Sequence, residues 1–258
     1  FASAGALVNL LECYYRLYLS DTSSSPWRPS NLTAVERNSW WPGDELLDVY
    51  TFCLLQFLYS PEISIPTSGN TTLPFNMLYM IEIYEGAPQT ISGCLINGWD
   101  AANVRISTDG GSTWEFIMGS PSYSYSSCYG WFFNGESCST PGWGGYGNGW
   151  EDASFDLDSY AGESVTIRFA FGSDPAWSTA DEPGLIGFFL DDISVDNSDS
   201  GNLIYDNADD QVVMAATGLA WADVFYDYGD VTRPGGAGWD TYDPVSFTHL
   251  RAHETLRY

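Results

Sequence analysis

The sequence predicts an all-β fold, an antiparallel β-sandwich, on three observations. Short runs alternate apolar and polar residues with a period of two, helical periodicity is nearly absent, and turn-forming clusters separate the runs at sandwich spacing. In chain order, MLYMIEIY places Met77, Tyr79, Ile81 and Ile83 on one face. NVRIS then turns Val104 and Ile106 inward and Arg105 outward, and EFIM and ASFDL add shorter strands. SVTIRFAF is the clearest strand: Val165, Ile167, Phe169 and Phe171 alternate with Thr166, Arg168 and Ala170, the pattern of a strand facing a second sheet. The intervening turns fall at residues 66–72, 109–112 and 158–163.

Two regions break this regularity. Residues 120–150 read SPSYSYSSCYGWFFNGESCSTPGWGGYGNGW, too rich in glycine and aromatics to be one strand. Flat rings on a glycine-rich loop suit stacking on sugars or on a protein partner, through Tyr123, Tyr125, Trp131, Trp143, Tyr146 and Trp150. The competing reading folds the loop over its own sandwich, with the rings buried for stability. Residues 200–244 carry an acidic stretch and YDYGDVTRPGGAGWDTYDP, read as a linker entering a further module.

Composition removes several function classes. The chain has 258 residues and a formal charge of −26, which excludes an electrostatic nucleic-acid binder. All 8 basic residues are arginine, so Schiff-base chemistry, a P-loop lysine and a Ser-Lys dyad are absent. A lysine-free, aspartate-heavy surface stays hydrated in salt and points to a marine or halophilic bacterial source. Aromatics at 16% supply a core that a disordered acidic tail lacks. The apolar runs at residues 6–11 and 46–59 are short or interrupted by charge, so no transmembrane helix is expected.

The ends read as foreign to the fold. The chain starts at Phe1 with no charged segment before its apolar run, so no signal peptide is assigned; the start reads as truncated, and residues 1–37 form an N-terminal segment not assigned to the sandwich expected at 38–199. The last residues, VSFTHLRAHETLRY, hold both histidines, His249 and His253, and resemble translated sequencing-adapter read-through, so 245–258 is set aside. A native basic tail is the alternative. Without that tail no histidine remains, which removes Ser-His-Asp and Cys-His sites, HExxH proteases and His-ligated metals. A two-carboxylate glycoside hydrolase is the main enzyme class left.

The cysteines, Cys13, Cys53, Cys94, Cys128 and Cys138, show no CxxC spacing and no neighbouring histidine, against a zinc site. Cys128 and Cys138 bracket part of the irregular region and are the expected disulfide, with buried free thiols as the alternative. The most informative motif is Ser107-Thr-Asp109-Gly-Gly111-Ser-Thr-Trp114, an Asp-box between two strands. Asp109 accepts bonds from the turn's backbone, the glycines take positive φ, and Trp114 packs beneath. It is a structural turn, and a single copy argues against a propeller.

The ordered blocks NSWW, LYSPEISIP, LPFNMLYMIEIYEG, GWDAANVRISTDGGSTWEFI, FDLDSYAGESVTIRFAFGSD and GFFLDDISVDN resemble the MAM-like jelly-roll module that accompanies immune inhibitor A type (M6-like) secreted metallopeptidases and related bacterial surface proteins. The resemblance implies an antiparallel jelly-roll β-sandwich, an extracellular or cell-surface location and an accessory role beside neighbouring domains of the same polypeptide. The chain departs from that pattern at residues 120–150 and carries no peptidase motif. Sandwiches of this kind often hold structural calcium. Asp191 and Asp192 in GFFLDDISV point to opposite faces, and an inward carboxylate needs a partner; calcium with Glu82 and Asp100 as further ligands supplies one, and Arg168 or backbone bonds are the alternatives. The expected function is a non-catalytic accessory or adhesion module. A polysaccharide- or surface-protein-binding module using the residue 120–150 aromatics and a carboxylate-dependent glycoside hydrolase are the alternatives.

Overall fold

A computed structural model describes residues 27–43, 50, 54–179 and 181–218. In chain order the strands are β1 (Arg28–Ser30), β2 (Ser39–Trp41), β3 (Leu55–Tyr59), β4 (Ile63–Ser64), β5 (Thr71–Met80), β6 (Gln89–Ile91), β7 (Cys94–Ile96), β8 (Ala101–Ser107), β9 (Glu115–Phe116), β10 (Gly119–Ser120), β11 (Glu151–Asp156), β12 (Ser164–Gly172), β13 (Gly187–Asp191), β14 (Ile193–Asn197), β15 (Gly201–Asp206) and β16 (Ala215–Gly218). Among the described residues a short α-helix, α1, spans Tyr129–Phe133. One sheet runs β1-β2-β13-β5-β11-β10, with β14 also on β5 and β15 on β14; the other runs β16-β3-β12-β8-β9, with β4 on β12. The strand pairs are antiparallel and the sheets pack together, an all-β sandwich.

The alternation seen in the sequence sets the inner faces. Leu73, Phe75, Met77 and Tyr79 of β5 oppose Val165, Ile167, Phe169 and Phe171 of β12 and Val104 and Ile106 of β8, all in one core. Phe75 lies edge-on to Phe169, with ring centroids 5.0 Å apart, and stacks on Phe155 at 5.7 Å. Ile81 stays buried, whereas Ile83 is exposed because β5 ends at Met80.

The sandwich takes in more chain than residues 38–199. β1 pairs with β2, β15 with β14 and β16 with β3, so residues 201–218 add strands to both sheets instead of starting a linker. The expectations for residues 1–26, 219–244 and 245–258 lie outside the described residues.

Residues 128–136 lie over the outer face of the second sheet. β8 is buried on both faces, and a second cluster joins Leu55, Phe57, Ala101 and Ala170 to Cys128 and Trp131. Arg105 points away from the inter-sheet core, as its place in NVRIS requires, yet is itself buried. Its guanidinium makes two bonds of 2.8 Å to Glu136, a third to Asn103, and lies 4.9 Å from the Trp131 ring. A bidentate ion pair under an aromatic lid thus fastens the irregular segment to the sheet.

The expected Cys128–Cys138 disulfide is not formed. Cys138 bonds Cys94 at the start of β7, while Cys128 is a buried free thiol facing the second cluster. The reason lies in the covering segment: Cys128 N–H bonds the Thr140 carbonyl and turns the side chain onto the sheet, leaving Cys138 to reach the β6–β7 hairpin.

The Asp-box turn joins β8 to β9. Ser107 Oγ donates to Asp109 Oδ1 at 2.8 Å, the Thr113 amide and hydroxyl donate to the two Asp109 oxygens, and Gly110 and Gly111 take φ of 71° and 90°. The Trp114 indole donates to the Gly111 carbonyl, and its ring sandwiches Arg168 against Phe57. The bonds from Thr113 and Ser107 hold the Asp109 carboxyl down to about 2. A folded-state value below the unfolded one means the stabilisation is present above about pH 4 and lost as pH falls through about 2. The stability gap between wild type and Asp109→Asn in urea melts is therefore expected to hold at pH 6, to narrow below pH 4 and to close near pH 2; a gap that widens in acid rejects this.

Candidate metal centre

Three strand ends meet at one end of the sandwich. Glu82 follows β5 in the first sheet, Asp100 precedes β8, and Asp174 lies just past β12 in the second. β8 and β12 are antiparallel neighbours with Ala101 opposite Gly172, so the carboxylates that flank this pair emerge side by side. One oxygen from each of Glu82, Asp100 and Asp174 lies within 4.8 Å of the other two.

Burial makes this arrangement costly without a counter-charge. Asp100 is 0% exposed and Asp174 is buried, with Glu82 partly so. Asp100 Oδ1 accepts the Asp174 N–H at 2.8 Å, and Asp174 Oδ1 accepts the Ala176 N–H at 2.8 Å. Asp100 Oδ2 and Glu82 Oε2 lack a partner in good hydrogen-bond geometry, and the buried Tyr50 hydroxyl lies beside Asp100 and lowers its cost only in part. Each buried unsatisfied group costs about 1–3 kcal/mol, more when charged. Loss of solvation, followed by the charge of Asp174, pushes the Asp100 carboxyl well up. Glu82 rises by burial and by the charges of Asp174, Asp100 and Asp181, and Asp174 rises by burial. Three carboxylates whose protons are hard to remove, with orphaned oxygens converging, form a site that a divalent cation would satisfy.

Of the four residues expected to hold calcium, Glu82 and Asp100 come together and Asp191 and Asp192 do not join them. Asp191 Oδ2 accepts the Val35 N–H at 2.9 Å and its Oδ1 the Asp192 N–H, while Asp192 accepts the Tyr205 hydroxyl. The two do not alternate along one strand, because Asp192 takes φ of 48° and breaks β13 from β14. Local donors thus occupy both carboxylates. Asp174 was missed: the turn SDPAW gives no sign that it lies beside Asp100.

The aromatics of residues 120–150 do not make a ligand platform. Trp131 and Trp143 are fully buried, one under the covering segment and one between the sheets. Tyr123 spends its hydroxyl on the Val104 and Ile117 carbonyls, and Tyr125 lies against Gly98 and Gly144, where any Cβ would meet its ring closer than 3.0 Å. Trp150 is half-buried with its indole on Thr33, which leaves Tyr146 as the exposed member of the set. No protein-family model and no curated protein matches the chain. Among the described residues no helix is long and apolar enough to cross a membrane.

Proposed function

We propose that the chain is a non-catalytic, extracellular β-sandwich module of jelly-roll type that holds a structural calcium ion at Glu82, Asp100 and Asp174. It serves as an accessory or adhesion unit beside other domains of a secreted or cell-surface bacterial protein. The observation that carries this reading is the convergence of unpartnered, buried oxygens of Glu82 and Asp100 on Asp174. Calcium takes oxygen ligands, and these three carboxylates tie β5 of one sheet to β8 and β12 of the other. The Cys94–Cys138 disulfide supports an oxidising compartment. The resemblance of the sequence blocks to MAM-like modules supports the accessory role. A two-carboxylate hydrolase fits less well, because Asp100 has no exposed surface with which to reach a substrate.

Calcium at 100 times its Kd is expected to stabilise the fold by about 2.7 kcal/mol. For a domain of this size that raises Tm by about 5–10 °C over the chelator-treated protein. Asp100→Asn separates site binding from screening of the −26 net charge. Without calcium it should melt at or above the wild type, since a neutral amide replaces a buried carboxyl that resists ionisation, and calcium should shift it far less. Equal wild-type melting in calcium and in chelator, or an equal calcium shift in Asp100→Asn, rejects the site.

A further inference from the structure

Beside the carboxylate cluster, two half-exposed aromatic rings are held by one acidic side chain. Tyr146 is 48% and Trp177 51% exposed. The Tyr146 hydroxyl donates to Glu182 Oε1 at 3.0 Å and the Trp177 indole to Glu182 Oε2 at 3.2 Å. Each ring is therefore held by its polar edge while about half of the residue stays open to solvent. Ile83, also exposed, lies against the Gly145 backbone next to Tyr146 and extends the apolar surface.

The backbone at Trp177 carries a second signal. Its φ is 63°, in the left-handed region that a bulky side chain adopts only at a cost. Ser178 N–H bonds Asp181 and Ala176 N–H bonds Asp174, so the turn is pinned on both sides of the strained residue and presents the indole outward. Glycine would meet the same backbone need without strain. A strained residue that buries little and shows its ring to solvent marks a position kept for what the ring does there.

We infer that Trp177 and Tyr146, oriented by Glu182, form a platform for a neutral polysaccharide chain. The electron-rich ring faces suit the C–H faces of pyranose rings, and the surrounding carboxylates accept sugar hydroxyls. Glu82, Glu85, Asp181 and Glu182 crowd this end and the chain carries a net charge of −26, which repels nucleic acids, anionic lipids and uronic-acid polymers. The platform stands independently of the cation reading, though Asp174 contributes to both.

The test is affinity electrophoresis of the full chain, with calcium present, in gels containing hydroxyethyl cellulose, laminarin, galactomannan or alginate. Wild type is expected to be retarded by at least one of the three neutral polymers and not by alginate. Trp177→Gly should weaken that retardation about tenfold while Tm stays at or above wild type, because the substitution removes the ring and relieves the backbone together. Tyr146→Ala should weaken it with Tm unchanged, and Trp177→Phe should keep part of it. No wild-type retardation in any neutral gel, retardation by alginate alone, or full retardation of both Trp177→Gly and Tyr146→Ala would overturn the assignment. Repeating the wild-type gel with chelator separates the two readings: equal melting in calcium and in chelator with retained polysaccharide binding rejects the cation and leaves the platform standing.

Discussion

Trp143→Ala is expected to destabilise the fold by about 3–5 kcal/mol, a large part of the roughly 5–15 kcal/mol that holds a typical domain together. Trp143 comes from the glycine-rich region yet is wholly buried between the sheets. Its ring stacks on Phe188 at 6.0 Å, stands edge-on to Phe155 at 5.9 Å and contacts Tyr123 at 4.7 Å. Its indole donates to the Pro121 carbonyl at 3.1 Å, and its backbone exchanges bonds with Ala102 on β8. Truncation leaves a cavity lined by rigid rings that cannot collapse, together with an orphaned Pro121 carbonyl. Urea melts of Trp143→Ala and Tyr146→Ala make the comparison: the first should shift strongly and the second by less than about 0.5 kcal/mol, as for an exposed position. Equal shifts would mean that Trp143 is not a core residue.

The difference between these two neighbours shows where the sequence stopped being legible. Strand alternation is local, so SVTIRFAF and MLYMIEIY could be assigned faces from their own residues, and β5 and β12 bury those faces. The Asp-box is local as well, since Ser107, Asp109 and Thr113 bond one another and the Trp114 indole donates to the Gly111 carbonyl, all within eight residues. Tyr and Trp on a glycine-rich loop carry no such signal. Gly142 and Gly144 are needed because Ala101, Ala102 and Tyr125 approach too closely for a Cβ, which is close packing and not the flexibility that glycine suggests in a sequence.

The carboxylate site was half legible for a related reason. Glu82 and Asp100 were expected together on neighbouring strands, and the structure brings them together just beyond the strand ends. Asp174 joins them only because Ala101 pairs with Gly172, a register across 71 residues that no local pattern encodes. Asp191 is buried and needs a partner, as the sequence implies, but the N–H groups of Val35 and Asp192 supply it where calcium was expected, and the left-handed φ at Asp192 ends the strand there. What repeated across distant segments is the same principle: residues whose partners lie in their own turn are readable, and residues whose partners are chosen by strand register are not.

Loss of the Cys94–Cys138 bond is expected to cost about 4 kcal/mol, from the loop entropy that a cross-link over a separation of 44 residues removes from the unfolded chain. It ties β7 to the segment that covers the second sheet, so reduction should release residues 128–138 first and expose the cluster around Trp131. Cys94→Ser and Cys138→Ser should each lose about this much in urea melts, while Cys128→Ser, which removes a small buried thiol and no cross-link, should lose about 1 kcal/mol. Glutamyl cleavage without reductant gives an independent answer, because Glu115 and Glu136 place Cys94, Cys128 and Cys138 in three separate peptides. The expected product joins the peptide of Cys94 to that of Cys138, with the Cys128 peptide free. A linked Cys128–Cys138 product would close a loop of about ten residues, worth about 3 kcal/mol, and would reverse the order of the serine variants.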